Sequence, residues 1–363
     1  MIMYTEKVDL GERSYNIYID GGLLSELGAY LRKVVPSNKA VLITDQTVYR
    51  LHGKNAEKSL RNSGYEVIGY IIEPGDRSKS LEVASEIYNV LYEANVEQSN
   101  PMIALGGGVV GDLTGFVAGT WLRGVPFVQV PTTLEADIDA SVGGKTAVNH
   151  PKGKNLIGVF NQPKMVLMDT DTLQTLSARD IRAGLAESIK HAVIRDPAFF
   201  EYHQTNSEKI LKLDECVLES LLAKNCRIKA DVVSEDEREG GVRAILNFGH
   251  TIAHAIEIVG GLDQWRHGEA VALGMVGAGF IAVTRGMFPI DQFQRMENLI
   301  RQFELPVRHA DLNFDELFEL MKRDKKVQSG KIRFVLPTQI GQVEIVDDVT
   351  EIQIAEAIQY LKG

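Results

Sequence analysis

The sequence predicts an α/β protein in two parts: a parallel-sheet domain over residues 1–170, then a mainly α-helical domain with a small hairpin over residues 171–363. Three observations predict it. Short branched apolar runs alternate with helical patterns through roughly the first 165 residues. From about Ser177 onward, long helical segments dominate. A length of 363 residues is also more than one small core organises, so two domains are expected.

The elements follow in order. Residues 40–44 (AVLIT) form a first strand, and the pattern over 48–62 is helical. A second strand is expected over 66–72 and a helix over 80–94. Residues 102–105 give a third strand, followed by a glycine loop and a helix over 113–122, and residues 125–130 give a fourth strand. Strands separated by helices of this length need crossover connections, which build a parallel sheet of Rossmann-like type. Near the C-terminus, 332–336 and 342–346 flank Pro337 to Gly341 and read as a hairpin. The domain boundary is expected between Lys164 and Ser177, with an active site between the domains.

Composition narrows the function classes. Hydrophobic content of 44% and charged content of 24% are ordinary for a globular protein. A net charge of −10 argues against nucleic-acid binding, because no broad basic face can neutralise phosphates. An anionic small molecule would have to be met by a local group of Lys and Arg. Cys216 and Cys226, ~15 Å apart along one helical stretch, cannot bridge. The opening MIMYTEK lacks the basic-then-apolar pattern of a signal peptide. The uncharged run 270–284 is shorter than the ~20 residues of a membrane span, so it reads as a buried helix. A cytoplasmic protein with no membrane partner is expected.

Several motifs carry chemistry. Gly106-Gly-Gly108-Val109-Val110-Gly111-Asp112 holds G-x-G-x-x-G between a strand and a helix, where backbone N–H groups can approach a pyrophosphate. It follows the third strand instead of the first, and no acidic strand end stands ~20 residues on. Asp45, ending the first strand, is a candidate for a ribose hydroxyl or for a helix cap. Gly75, Asp76 and Lys79 follow the second strand, and Thr132 and Thr133 follow the fourth, at the sheet end where a dinucleotide lies. Gly143-Gly144-Lys145 with Lys154-Asn155 suggests an anion-binding turn without Walker spacing.

The second half places polar residues on otherwise apolar helical stretches. Glu187, His250 and His267 make a two-histidine, one-carboxylate set suited to a divalent metal with an open position, as a catalytic zinc needs. Lys190 lies one turn after Glu187 and His254 one turn after His250. A zinc-protease reading of His250 to His254 fails, because Thr251 occupies the position of the general base.

GGGVVGD, PTT, DASVGGKT, KGKN, GLAESIK, LNFGHTIAHA, RHGEAVA and DKK occur in order across most of the chain. On these motifs the sequence resembles the 3-dehydroquinate synthases, sugar-phosphate cyclases similar in fold to glycerol dehydrogenase and the metal-dependent alcohol dehydrogenases. The resemblance implies conversion of 3-deoxy-D-arabino-heptulosonate 7-phosphate to 3-dehydroquinate by transient oxidation, phosphate elimination, reduction and aldol closure. It implies a Zn²⁺ (or Co²⁺) held by Glu187, His250 and His267, and a homodimer. It implies NAD contacts from Asp45, Gly75, Asp76, Lys79, Gly108, Val109, Val110, Gly111, Asp112, Thr132, Thr133, Thr172, Leu173, Gln174 and Thr175. Lys145 and Lys154 would sit between cofactor and substrate. Substrate contacts would come from Arg123, Asp139, Lys145, Asn155, Lys190, Lys229, Arg243, Asn247, His254 and one of Lys325 or Lys326. His254 is then a proton handler and not a ligand. The family usually carries Glu where Asp76 stands, and Gln or Met with apolar neighbours where Glu135-Ala-Asp137 stands. Other readings are a cyclase of secondary metabolism, a glycerol-type dehydrogenase, or a non-catalytic NAD- or metal-binding module.

Overall fold

The computed structural model describes residues 3–261, 264–322 and 331–363. The chain opens with strands β1 (Tyr4–Val8) and β2 (Tyr15–Asp20), followed by helix α1 (Leu27–Val34). Strand β3 (Lys39–Asp45) leads into a single turn α2 (Gln46–Val48) and helix α3 (Lys54–Asn62). Then come β4 (Glu66–Ile72), α4 (Leu81–Glu93), β5 (Met102–Gly106), α5 (Gly108–Thr120) and β6 (Phe127–Pro131). A hairpin of β7 (Lys145–His150) and β8 (Gly153–Phe160) precedes β9 (Met165–Asp169). Beyond these lie α6 (Ala178–Arg195), α7 (Pro197–Leu211), α8 (Glu215–Glu235), α9 (His250–Gly260), α10 (His267–Thr284), α11 (Ile290–Gln302) and α12 (Phe314–Met321). Strands β10 (Phe334–Gln339) and β11 (Gln342–Val346) and helix α13 (Glu351–Lys362) complete the chain.

Two compact units form, Met1–Ser177 with Glu215–Arg238, and Ala178–Asp214 with Glu239–Gly363. The sequence expectation of one cut after residue 170 differs from this division, because α8 packs on β1 and β2 and so belongs to the first unit. A linear reading of hydrophobic pattern has no signal for such a return.

The first unit is built on a seven-stranded sheet in the order β1-β2-β9-β6-β5-β3-β4. β1 pairs antiparallel with β2, and the remaining pairings are parallel. Both faces are covered, so β5, β6 and β9 are buried along their whole length. Alternate residues feed two cores: Leu42, Ile103 and Val128 pack with Leu27, Leu31 and Leu60, whereas Val41, Met102 and Phe127 pack with Ile87, Leu91 and Leu113. From β3 the chain goes to β4 on one side and then crosses to β5 on the other. The sheet order therefore reverses between β3 and β5, the kind of switch point beside which open α/β sheets bind their ligands.

The helix expected over 113–122 begins five residues earlier, at Gly108, so the glycine segment is its first turn and not a loop. The sequence reading had no strands at β1, β2, β7, β8 or β9. β8 is largely exposed, so it lacks the apolar run that marks a strand. Both cysteines are free and both lie on α8, Cys216 exposed and Cys226 buried.

The second unit surrounds α10, whose residues from Ala270 to Gly274 are buried on every side. A window covering His267–Thr284 is apolar enough to cross a membrane, but 72% of it is buried inside the protein, as the core helix of a domain would be. The expected C-terminal hairpin is present as β10–β11, anchored by Gly341 N–H donating to Val193 O at 2.8 Å. His203 of α7 ties that helix to α6 through Ser188 Oγ at 2.6 Å, while its Nδ1 faces Phe199 O of its own helix at 2.7 Å. Burial lowers its pKa to about 4, so this histidine is a neutral packing element.

Candidate functional site

In the second unit the polar cluster is set by helices packed backbone to backbone. A Cβ on Gly268 would stand 1.8 Å from Ala183 O, so α10 meets α6 at a distance only glycine permits. Gly249 has φ +80° and precedes the first residue of α9, and it touches Gly274 of α10 just as closely. These contacts bring the middle of α6, the start of α9 and the start of α10 together, and each supplies one member of the trio.

Glu187 is fully buried on α6. His250 Nε2 lies 3.5 Å from its Oε1 and His267 Nε2 3.3 Å from the same oxygen. The two imidazole centroids are 5.3 Å apart at 67°. One ligand atom from each residue falls within 4.8 Å of the others. At their far edges, His250 Nδ1 faces Phe248 O at 3.0 Å and His267 Nδ1 faces Glu257 Oε2 at 3.3 Å. Acceptors at Nδ1 fix the tautomer that leaves Nε2 a lone pair, which a metal requires. One carboxylate and two such nitrogens fit a divalent ion of the zinc type.

Other predicted groups lie on α6, on α9 and on the turn just before α9. Lys190 is buried and ion-paired to Glu187. His254 is half-buried, its ring 5.6 Å from that of His250. Arg243 is 2% exposed, on the short helical turn Val242–Asn247, and Asn247 Nδ2 donates to Glu239 Oε1 at 3.0 Å. Thr251 Oγ1 donates to Arg333 O at 3.0 Å, so the residue standing where a protease base would be serves as a tie. Lys325 and Lys326 lie outside the described residues.

In the first unit, Asp45 ends β3 and Gly106 ends β5, on either side of the switch point. The α5 N-terminus, Gly108 onward, has the backbone of Gly107 as its N-cap and no side-chain cap, which leaves amide donors suited to a pyrophosphate. Asp45 caps α2 with Oδ1, accepting from Thr47 N at 2.8 Å and Val48 N at 2.9 Å. Both alternatives for Asp45 thus survive, since these two bonds use a single carboxylate oxygen.

Lys79 is buried against Asp112, whose carboxyl is raised by burial and pulled back by that lysine. Asn149 on β7 donates to Asp76 Oδ2 at 3.0 Å, Lys154 lies 3.7 Å from the same oxygen, and Asn155 N donates to Asn149 Oδ1. Asn155 has φ +55° and is exposed, as are Lys145 and Lys154 on the same hairpin. Lys229 reaches from α8 to donate to Asp139 Oδ1 at 2.6 Å and to its carbonyl. Arg123 is exposed in a left-handed turn with φ +66°.

Thr132 is buried, and Thr133 Oγ1 accepts from Ala136 N at 3.3 Å. Thr172, Leu173, Gln174 and Thr175 form part of the turn Thr170–Thr175, with Thr175 Oγ1 3.1 Å from His52 Nε2. Sequence reasoning missed Glu257, Glu239 and Asn149, each of which orients a neighbour.

With this geometry in view, known proteins give a consistent picture. The family model "3-dehydroquinate synthase N-terminal" matches residues 69–183 and "3-dehydroquinate synthase C-terminal" matches 184–327. The 3-dehydroquinate synthase of Microcystis aeruginosa is 48% identical over 97% of this chain and 96% of its own. That of Desulforamulus reducens is 48% identical over 97% and 98%. Among solved structures, 2-epi-5-epi-valiolone synthase from Streptomyces hygroscopicus, with NAD⁺ and Zn²⁺ bound, superposes with a TM-score of 0.89 at 28% identity over 97% and 98% of the chains. Glycerol dehydrogenase from Schizosaccharomyces pombe shares the fold at a TM-score of 0.69 and 17% identity, over 94% and 87%.

Proposed function

The chain belongs to the 3-dehydroquinate synthase family, and we propose the following division of labour among its residues. It is a carbon–oxygen lyase of the shikimate pathway: 3-deoxy-D-arabino-heptulosonate 7-phosphate enters, and 3-dehydroquinate and phosphate leave. The observation that carries the site reading is the trio around the fully buried Glu187, in which two imidazole nitrogens face one of its oxygens.

Glu187, His250 and His267 hold Zn²⁺ or Co²⁺, and the α5 N-terminus with Asp45 and Lys79 holds NAD. When bound, these groups supply Lewis acidity at a substrate hydroxyl and a hydride acceptor that is regenerated within the cycle. The chain's own side chains do the rest. Lys190, a buried cation beside Glu187, favours negative charge on the adjacent hydroxyl oxygen. His254, one turn from His250 on the same helix, passes protons to and from the substrate.

Arg243, Asn247, Lys145, Asn155 and one of Lys325 or Lys326 grip the phosphate and carboxylate as charge-assisted partners. Asp139 holds Lys229 in place for the same task, and Arg123 and Lys154 add positive charge. Holding one molecule through oxidation, elimination, reduction, ring opening and aldol closure is mainly a matter of positioning. The same reading makes the enzyme a cytoplasmic homodimer.

The test is a coupled assay on the purified enzyme. Phosphate should be released from the heptulosonate phosphate only when NAD⁺ is present, with no NADH accumulating. Stoichiometric build-up of NADH would instead make the protein a dehydrogenase of the glycerol type.

A further inference from the structure

The two histidines of the trio are held from behind by different kinds of group. His250 Nδ1 faces a backbone carbonyl, Phe248 O, fixed by the turn that precedes α9. His267 Nδ1 faces a carboxylate, Glu257 Oε2, at 3.3 Å. Glu257 lies on α9 seven residues after His250, two turns along the same face of the helix. The side chain of Glu257 is 12% exposed and that of His267 25%, so the contact is mostly shielded from water.

His267 is also the first residue of α10, where the positive end of the helix dipole draws electron density from the ring. Its backbone is fixed separately: Arg179 of α6 binds Glu269 through two hydrogen bonds of 2.6 and 2.7 Å, and Glu269 caps Arg266 N at 3.0 Å. The peptide is therefore anchored by one carboxylate and the ring by another.

We propose that Glu257 is a positioning residue for the metal. It accepts from His267 Nδ1–H, holds the ring with Nε2 toward Glu187, and raises the donor strength that the helix N-terminus lowers. Helix α9 then serves the centre twice, with a ligand at its first residue and the orienting carboxylate for the second histidine two turns later. This inference rests on the metal reading above. A carboxylate placed for solubility alone would have no reason to sit with its side chain only 12% exposed against the far nitrogen of that histidine.

The experiment uses the full chain stripped of metal. Zn²⁺ affinity is measured by competition with a chromogenic chelator, the visible spectrum is recorded with Co²⁺, and the metal-free forms are melted. For Glu257→Gln, which keeps the shape and one acceptor, Zn²⁺ binding should weaken about tenfold, and for Glu257→Ala toward a hundredfold. The Co²⁺ spectrum should shift in both, while the metal-free melting of Glu257→Gln matches the parent. Parental affinity and spectrum in Glu257→Gln and Glu257→Ala would overturn the proposal. So would a Glu257→Gln whose metal-free form melts lower in proportion to its lost affinity, since that is structural support alone. If the parent chain itself bound no Zn²⁺, the metal reading would fail, which is a distinguishable result.

Discussion

The two units place their functional groups by different means. In the first unit the expected cofactor positions are mostly backbone: the amides at the start of α5, the turn after β4 and the strand ends beside the switch point. In the second unit they are side chains on buried helix faces, located by contacts that leave no room for a methyl group. A parallel sheet delivers strand ends to one crevice whatever their side chains, so many sequences serve there. A helix bundle delivers a metal centre only if specific carboxylates and imidazoles survive burial with partners. Side-chain changes should therefore cost far more in the second unit than in the first.

The sharpest way to break that contrast is His250→Ala. It removes a proposed ligand without touching backbone, so turnover should fall on the order of 10³-fold or more as several kcal/mol of electrostatic stabilisation go. Zinc content should fall with it, while the metal-free melting temperature stays near the parent's. A variant that retained both zinc and full activity would remove His250 from the ligand set.

Gly268→Ala asks whether the backbone approach matters as much as the ligands. Its Cβ would meet Ala183 O at 1.8 Å, so α10 must move off α6. Overpacking of this kind costs roughly 1–3 kcal/mol or more, read as a lower denaturant midpoint, and zinc affinity should fall in parallel. An unchanged midpoint would mean that the helices are not locked at this point.

The smallest expected effect lies in the first unit. Asp45→Ser keeps a capping oxygen for Thr47 and Val48 but loses the second carboxylate oxygen. Stability should change by only a few tenths of a kcal/mol, whereas the KM for NAD⁺ should rise about tenfold. A stability loss with an unchanged KM would make Asp45 a cap and nothing else.

Asp137 shows how the first unit buries a carboxyl. It is buried beside the Asp139 position, and its carboxyl is pushed well above the usual range by burial and by the nearby Asp169.

How much was legible follows from what each signal depends on. Glu187, His250 and His267 stood out because polar residues on apolar helices need a reason to be there. Glu257 gave no such signal, since a lone glutamate seven residues after His250 has no visible partner in the chain until α10 brings His267 against it. The placement of the glycine motif after the third predicted strand looked irregular in one dimension. The sheet order explains it, because β5 and not β3 carries the helix that starts at the reversal.

By itself, then, the sequence determined the α/β class and the family, and it offered the two-histidine, one-carboxylate set as a candidate metal site, because these rest on residue types, ordered motifs and local periodicity. Tertiary structure alone decided that α8 returns to the first unit, that Lys145 and Lys154 ride on a hairpin, and which acceptor stands behind each histidine. The physical reason is that packing joins residues by distance in space, and a glycine that lets two helices touch leaves no periodic trace in the chain.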